Sequence, residues 1–298
     1  AYRDSSRHGG LACTFRKNWQ DMQVKTVQHG VGERGRKNPV TGELACGPET
    51  LTEEELAKNR EDMWREVLAR PFDSAYYRER TPDLSKVTVP LLSAANWGGQ
   101  GLHPRGNFEG YLGAASRQKW LEVHGGSHWA PFYTDYGVKL QKRFFDHFLK
   151  GLDNGWEHQP PVQMQVRHPG ERFVERYENE WPLARTKWTH FYLDPDGMRL
   201  TAAPATTEQS VTYDMMGEGL TFSTSPLTAE NEITGPSALK LFISSSTPDA
   251  DIFAVFRVFD PDGKEVVFQG ALDPHTPIGQ GWLRASQRQL DAKRSLPY

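Results

Sequence analysis

The sequence predicts an α/β unit in the first half of the chain and an all-β domain in the second. Two short apolar runs, residues 89–95 and 120–123, have the length and composition of strands buried on both faces of a parallel sheet. Helical patterns over residues 108–116 and 138–149 follow them in turn, and this order predicts a right-handed crossover between parallel strands. After Asn154 the pattern changes to short alternating segments separated by turn residues, which is typical of a β-sandwich.

A helix is predicted ahead of this unit, after a Gly-rich and polar N-terminal region. Thr52 stands three residues before Glu55, which is the spacing of a capping box at a helix N-terminus. Apolar residues then recur at helical spacing as far as Leu68. Pro71 ends the pattern, because proline cannot continue the hydrogen-bond ladder. We therefore expect one helix between Thr52 and Pro71.

Two loops connect the elements of the α/β unit. A Gly-rich loop over residues 96–106 follows the first predicted strand, and residues 124–132 follow the second. The helix over residues 138–149 has its aromatic residues at helical spacing, which favours their burial against the sheet. Gly151 is its expected C-cap, since glycine readily adopts a positive φ.

In the second half of the chain, several short segments alternate in polarity or are bounded by turn residues. The run Asp-Pro-Asp-Gly at residues 260–263 is a strong signal for a hairpin between the last two segments. The predicted strands are residues 162–167, 189–193, 210–213, 238–244, 252–260 and 264–270.

Composition and charge exclude several other classes of protein. Hydrophobic residues make up 37% of the 298 residues and charged residues 24%, so the sequence is neither disordered nor fibrous. The 35 basic residues nearly balance the 38 acidic ones, which leaves no electrostatic footprint for nucleic acid or an anionic membrane. No apolar run reaches the length of about 18 residues that a membrane span needs. The 2 cysteines cannot build a disulfide scaffold, and we expect reduced thiols in a cytoplasmic protein.

The candidate site lies where these loops leave the sheet, because ligands of parallel sheets bind at the carboxyl ends of the strands. His128 stands in the run Gly-Gly-Ser-His-Trp directly after the second strand. An imidazole suits a general base, since its ordinary pKa lies near neutrality. The chain order of an α/β-hydrolase site is serine, then Asp or Glu, then His after the last strand. The layout of this sequence fits the last two steps of that order.

Three histidines near these loops, His103, His124 and His128, raise the question of a zinc site. His124 and His128 have three residues between them on a loop rather than on a helix, and neither cysteine nor a paired acid accompanies them. We therefore expect no metal and no other cofactor.

Three segments carry a family resemblance: NWGGQGLHPRGNFEGY at residues 96–111, KWLEVHGGSHW at residues 119–129 and LQKRFFDHFLKG at residues 140–151. They resemble the CocE/NonD family of serine hydrolases, which is related to X-Pro dipeptidyl-peptidases and to acylesterases of the cocaine-esterase type. The run ITGPSALKLFISSSTPDADIFAVFRVFDPDGK, residues 233–264, resembles the C-terminal jelly-roll domain of the family. AYRDSSRHGG, at the start of the sequence, resembles the region that leads from the nucleophile into the helical cap.

The resemblance implies that residues 1–160 are the C-terminal part of an α/β-hydrolase domain, with a helical cap at residues 15–85. Residues 161–298 are then a jelly-roll β-sandwich domain that is truncated at its C-terminus. The family's serine lies on an exposed turn of the G-x-S-x-G type. Ser93 lies inside a strand and Ser127 in a loop, so we expect an internal fragment whose nucleophile is missing and which is inactive alone.

The triad acid is also displaced from its usual position. Relatives in the family often carry G-W-x-D after the penultimate strand, and Gly99 occupies the position of the acid here. Because glycine cannot orient an imidazole, Glu109 at the start of the next helix is the first candidate for the acid. Asp135 is the second candidate, and the third alternative is an acid outside this chain.

The predicted function is hydrolysis of an ester or amide through a serine acyl-enzyme, as in acylesterases or X-Pro dipeptidyl-peptidases. His128 is the predicted general base, and Glu109 orients it. The expected partner is a small-molecule ester or peptide substrate, and a homo-oligomer is compatible with the sequence. A second hypothesis is a non-catalytic carbohydrate- or protein-binding module on a degenerate hydrolase scaffold, because fold does not fix function.

Overall fold

The computed structural model describes residues 2–271, 273–293 and 295. The α-helices are α1 (Phe15–Trp19), α2 (Lys25–Val27), α3 (Glu53–Lys58), α4 (Met63–Ala69), α5 (Ala75–Glu79), α6 (Pro104–Gly113), α7 (Ala130–Tyr133) and α8 (Asp135–Lys150). The strands are β1 (Arg7–His8), β2 (Leu11–Ala12), β3 (Leu91–Asn96), β4 (Lys119–His124), β5 (Val162–His168), β6 (Arg172–Glu178), β7 (Tyr192–Asp194), β8 (Arg199–Thr201), β9 (Asp251–Phe256) and β10 (Gly279–Arg284). Within the described residues, no helix is both long enough and apolar enough to cross a membrane.

A four-stranded mixed sheet, in the order β3, β4, β5, β6, forms the centre of the first half. β3 and β4 are parallel, as predicted, with Ser93 opposite Leu121 and Asn96 opposite His124. β4 and β5 are also parallel, whereas β6 returns antiparallel to β5. Since β3 and β4 run in the same direction, their carboxyl ends open at the same edge of the sheet.

One face of this sheet is buried in the hydrophobic core. Leu121 is 1% exposed, and Val123, Val162 and Met164 are 0% exposed. Side chains two residues apart on a strand share a face, so alternate positions of β4 and β5 supply this core. The same cluster includes Ala95, Tyr111 of α6, Trp181 and Leu183.

The opposite face of the sheet packs against α8 through aromatic side chains. Trp120 of β4 contacts Phe144 and Phe148 of α8 at ring-centroid distances of 6.2 and 5.6 Å. The fully buried Trp156 completes this cluster, 5.3 Å from the Trp120 ring. α8 ends at Gly151, which has a φ of 66°, so the predicted helix and its glycine C-cap are both confirmed.

The region before β3 contains two short helices where the sequence predicts one. The capping box of Thr52 and Glu55 is present and begins α3, as predicted. A second cap follows, since the Arg65 amide donates to the Asp62 carboxylate at 3.0 Å and begins α4. The single predicted helix is therefore wrong. Apolar spacing continues across both helices, but an aspartate at an N-cap favours a new helix start.

The sheet continues across the predicted domain boundary at residue 160. The alternating segment 162–167 is predicted as a sandwich strand, but as β5 it pairs with β4, with Leu121 opposite Val162. Alternation shows that one face of a strand is buried, and it does not specify which neighbouring strand completes the sheet. The first predicted strand of the β-domain therefore belongs to the mixed sheet.

Two antiparallel ladders lie in the second half of the chain, β7 with β8 and β9 with β10. The predicted turn after β9 is present, since the Gly263 amide donates to the Asp260 carbonyl at 2.9 Å. A bridge between Phe259 and Glu265 closes this turn. The Val266 amide also donates to the Val258 carbonyl at 2.8 Å, so the predicted hairpin is present around this turn, while β9 itself has β10 as its ladder partner.

Two other predicted strands of the second half are wrong. Residues 210–213 and 238–244 lie among the described residues and are not strands. Phe242, in the second of these segments, is 94% exposed. An apolar alternation forms a strand only where a neighbouring strand pairs with it, and among the described residues neither segment has a strand partner. The jelly-roll layout therefore stays a prediction.

Leu121→Ala should weaken the core, because this side chain is 1% exposed in the middle of β4. We expect the free energy of unfolding to fall by about 2–5 kcal/mol in urea denaturation. Leu149→Ala is the control, since Leu149 is 76% exposed on α8, and a change within about 0.5 kcal/mol is expected. Equal losses in the two variants would contradict this placement of the core.

Candidate active site

The ends of β3 and β4 bring a polar pair to one edge of the sheet. Asn96 is the last residue of β3, His124 is the last of β4, and the register places them opposite each other. Asn96 is 4% exposed, and its side-chain amide donates to the Gly126 carbonyl at 3.0 Å. This hydrogen bond fastens the loop after β4 to the end of β3.

A cavity of about 450 Å³ opens beside this pair, at the carboxyl edge where parallel sheets bind ligands. Three segments contribute to its wall: the loop between β3 and α6, the loop after β4 and the N-terminal segment. The polar residues of the wall are Ser5, Asn96, His103, Asn107, His124 and His128.

His103 and His128 form a stacked pair in this cavity. Their ring centroids are 4.8 Å apart and their planes differ by 15°. Desolvation by the surrounding protein lowers the pKa of both rings. Both imidazoles are therefore held in the neutral form at neutral pH, and a neutral imidazole has a ring nitrogen free to accept a proton.

Three buried polar atoms around the cavity have no hydrogen-bond partner among the described residues. They are the Oδ1 atom of Asn96, the Nε2 atom of His124 and the Nδ1 atom of His128. Buried polar atoms are nearly always paired, so each exception needs an explanation such as a catalytic role or an unoccupied ligand position. Three exceptions at one cavity mark it as the candidate active site.

The buried carboxylate of Glu122 is paired with the His124 ring. Glu122 lies two residues earlier on β4, on the same face of the sheet. Its Oε2 atom is 2.8 Å from Nδ1 of His124, and the two side chains are 3% and 12% exposed. The pair fixes the orientation of the His124 ring and leaves its Nε2 atom directed away from the carboxylate.

The Glu122 carboxylate is itself locked by a polar network. The hydroxyl of Tyr136 donates to Glu122 Oε1 at 2.8 Å. Gln163 donates to the Tyr136 oxygen at 3.1 Å and to Glu175 at 2.7 Å. Burial raises the pKa of Tyr136 strongly, and the charge of Glu122 and the hydrogen bond to it raise it further, so the phenol stays a donor.

The structure places both predicted candidates for the triad acid on the surface. The Glu109 carboxylate accepts a hydrogen bond from Arg105 at 3.2 Å and is 50% exposed. Asp135 is 97% exposed and lies 4.0 Å from Lys139. Neither carboxylate has a described hydrogen bond to His128. Glu109 therefore stays a prediction without an observed contact to the base.

The sequence-based reasoning missed Ser5, Asn96 and Glu122. Ser5 is far from the other site residues in the chain, so no local pattern indicates its place in the cavity wall. Glu122 did carry a signal, because an acid and a histidine two positions apart on a strand share a face. A second signal is that Glu122 is a charged residue in the middle of the buried part of β4.

The β-rich half of the chain anchors the loop after β3. Trp97 donates from Nε1 to the Gln165 carbonyl at 2.8 Å and stacks on Phe268 at 6.2 Å. Gln100 donates to the carbonyls of Pro277 and Ile278 at 2.9 and 3.0 Å. These contacts hold the loop that carries His103 against β5 and the β-rich half.

The three histidines do not form a metal centre. Across the described part of the chain, no group of three His, Cys, Asp or Glu side chains is arranged to hold a metal ion.

Residues 154–296 match the family model of the X-Pro dipeptidyl-peptidase C-terminal non-catalytic domain. The cocaine esterase of a Rhodococcus species is 28% identical over 175 residues, a match that covers 46% of this chain and 30% of that protein. A Mycobacterium bovis protein named "Putative serine esterase" is 27% identical over 184 residues, with 50% and 26% covered.

Solved structures extend the likeness to almost the whole chain. A crystal structure of a CocE/NonD family hydrolase from Staphylococcus aureus has a TM-score of 0.76 at 26% identity and covers 99% of this chain and 49% of that one. A second crystal structure of this hydrolase gives a TM-score of 0.77 at 27% identity. This chain covers about half of that hydrolase, and the matched segments cover less than a third of the two curated relatives.

The fold and the cavity define an α/β protein whose candidate site lies at the carboxyl edge of a largely parallel sheet. These similarities support a CocE/NonD-like protein, as the motifs of its first half predict.

Gly98→Ala should separate the loop after β3 from the β-rich half. A Cβ atom at Gly98 would lie 2.0 Å from the Gln269 carbonyl oxygen. The nearest atoms all belong to the backbone, so the clash could be relieved only if the backbone moved. We expect a loss of about 1–3 kcal/mol in the free energy of unfolding, measured by urea denaturation. Gly110→Ala on α6 is the control, because its Cβ would meet nothing within 4 Å, and a gain of up to about 1 kcal/mol is expected. A Gly98→Ala variant as stable as the control would disprove the anchoring contact.

Proposed function

We propose that this chain supplies the histidine-bearing part of the active site of a serine hydrolase that cleaves esters or amides. The observation that carries the proposal is the half-buried position of His128 in a cavity at the carboxyl edge of the sheet, where burial lowers its pKa. The relatives named as esterases and the solved CocE/NonD family hydrolase support the same reaction class. The substrate in this proposal is a small-molecule ester or a short peptide.

His128 acts as the general base in the proposed mechanism. Its Nδ1 atom is buried, so we assign proton transfer to Nε2. Nε2 takes the proton of a serine hydroxyl as the oxygen attacks the substrate carbonyl, and then gives it to the leaving group as the acyl-enzyme forms. Water repeats the two steps to release the acid. The lowered pKa of His128 suits this cycle, because it keeps the free ring able to accept a proton near neutral pH.

We place the nucleophilic serine outside these 298 residues. Ser93 donates to the Asn107 carbonyl at 2.9 Å from within β3, and the Ser127 oxygen accepts from the Ala130 amide at 3.3 Å. Ser5 lines the cavity, but its Oγ atom accepts a hydrogen bond from Arg16 at 2.6 Å. None of these three serines lies on an exposed strand-to-helix turn of the nucleophile type. The expectation that the isolated chain is inactive follows from this proposal.

His128→Ala in the enzyme that contains this chain should lower kcat by about 10⁴ or more, because the base of the triad is lost. Hydrolysis of a nitrophenyl ester measures the effect. His158→Ala is the matched control, since the His158 side chain is 83% exposed and pairs only with its neighbour Glu157. Near-normal turnover in His128→Ala would remove the hydrolase proposal and favour a non-catalytic binding module.

The pH dependence of kcat/KM should report the base. Because burial lowers the pKa of His128, the acid limb of the profile should have its midpoint below 6.5, the ordinary value. Activity is then full above that midpoint and is lost as pH falls and the imidazole becomes protonated. A profile of kcat/KM from pH 4 to pH 9 measures it. A midpoint above 6.5 would contradict a desolvated base.

A further inference from the structure

We propose that His124 and Glu122 replace the missing triad acid, with His124 accepting the Nδ1–H of His128 and Glu122 holding His124. The proposal rests on the proposed role of His128 as base. It makes His124 and Glu122 positioning residues, since neither touches the reacting atoms. The resulting order of groups is carboxylate, imidazole, imidazole and serine hydroxyl.

The position of the proton on His124 follows from its contact with Glu122. A carboxylate only accepts hydrogen bonds, so the 2.8 Å contact requires the proton of His124 on Nδ1. A neutral imidazole protonated at Nδ1 has its lone pair on Nε2. The Nε2 atom of His124 is therefore an acceptor, and it is buried without a partner among the described residues.

The proton on His128 has the complementary position. A general base that accepts through Nε2 carries its own proton on Nδ1. That Nδ1 atom is buried and also has no described partner. The cavity wall thus holds one unsatisfied donor and one unsatisfied acceptor, on His128 and His124. We infer that these two atoms are joined in the working site, directly or through a bridging water, because either connection would satisfy both of them.

Glu122 is better placed for this task than either acid predicted from the sequence. Its side chain is 3% exposed, whereas Glu109 and Asp135 are 50% and 97% exposed. An ion pair stabilises a developing imidazolium more strongly when it is shielded from water. The hydrogen bond from Tyr136 fixes the second oxygen of Glu122 and prevents the carboxylate from turning away.

In the proposed relay, the protons on Nδ1 of His124 and of His128 stay on those atoms throughout the reaction. During attack, one proton passes from the serine oxygen to Nε2 of His128, and the new positive charge lies on that ring. The Nδ1–H of His128 then points at a lone pair of His124, whose far side faces the Glu122 carboxylate. The His128 ring also contacts His103, stacked at 4.8 Å, and Trp129, edge-on at 5.0 Å, while Tyr136 contacts the Glu122 carboxylate.

Nitrogen-15 NMR of the histidine rings of this chain tests the proposal without any measurement of activity. At neutral pH, in the unmodified chain, we expect the proton on Nδ1 in both His124 and His128. A proton on Nε2 of either ring would overturn the relay. This measurement uses no variant, so it decides the question even if a substitution at the buried Glu122 prevents folding.

Two variants extend the same experiment. Glu122→Gln should allow His124 to adopt either tautomer. Glu157→Gln, at an exposed carboxylate beside His158, is the control and should leave the His124 and His128 spectra unchanged. An unchanged His124 spectrum in Glu122→Gln would overturn the role of Glu122. A change of the His128 spectrum in Glu109→Gln would assign the orienting acid to Glu109 instead.

Kinetics of the enzyme that contains this chain separate this proposal from the proposed function. Glu122→Gln should lower kcat and kcat/KM together by up to about 10⁴, as when the orienting acid of a triad is lost. Glu122→Asp, which retains the carboxylate, should recover part of the rate. If His128→Ala has no effect, the hydrolase proposal fails. If His128→Ala abolishes activity and Glu122→Gln does not, only the relay fails.

Discussion

The parallel pairing of β3 with β4 is the constraint on which the candidate site depends. Its register sets Asn96 opposite His124 at the carboxyl edge of the sheet. The two loops that leave this edge then have to meet, and they do so through the stacked rings of His103 and His128. A slip of one residue in β4 would turn Glu122 and His124 towards the hydrophobic core, because alternate side chains face opposite sides.

The β-rich half contributes to the site from outside the cavity. The described residues of the cavity wall all precede residue 129, whereas the loop after β3 is held by carbonyl groups of Gln165, Pro277 and Ile278. The matched family model for that half is described as non-catalytic, and an anchoring role is consistent with this description. The close approach of Gly98 to Gln269 shows how little space separates the two parts.

The sequence predicted what depends on local pattern. The strand pair, the amphipathic α8 with its cap at Gly151 and the position of His128 at the sheet edge follow from periodicity and strand order. Strand partners depend on contacts distant in sequence, so β5 was assigned to the wrong layer and Phe242 to a strand that does not form. The surface position of Glu109 also depends on packing, because the direction of a helix face is not a local property.

A crystal structure of the enzyme that contains this chain, after reaction with a fluorophosphonate ester, tests the central claim most directly. The account predicts phosphorus bonded to a serine oxygen, with Nε2 of His128 within about 2.6–3.2 Å of that oxygen. The adduct should project into the cavity beside Asn96 and His103. An adduct on a serine that faces another histidine, or one that lies outside this cavity, would contradict the account.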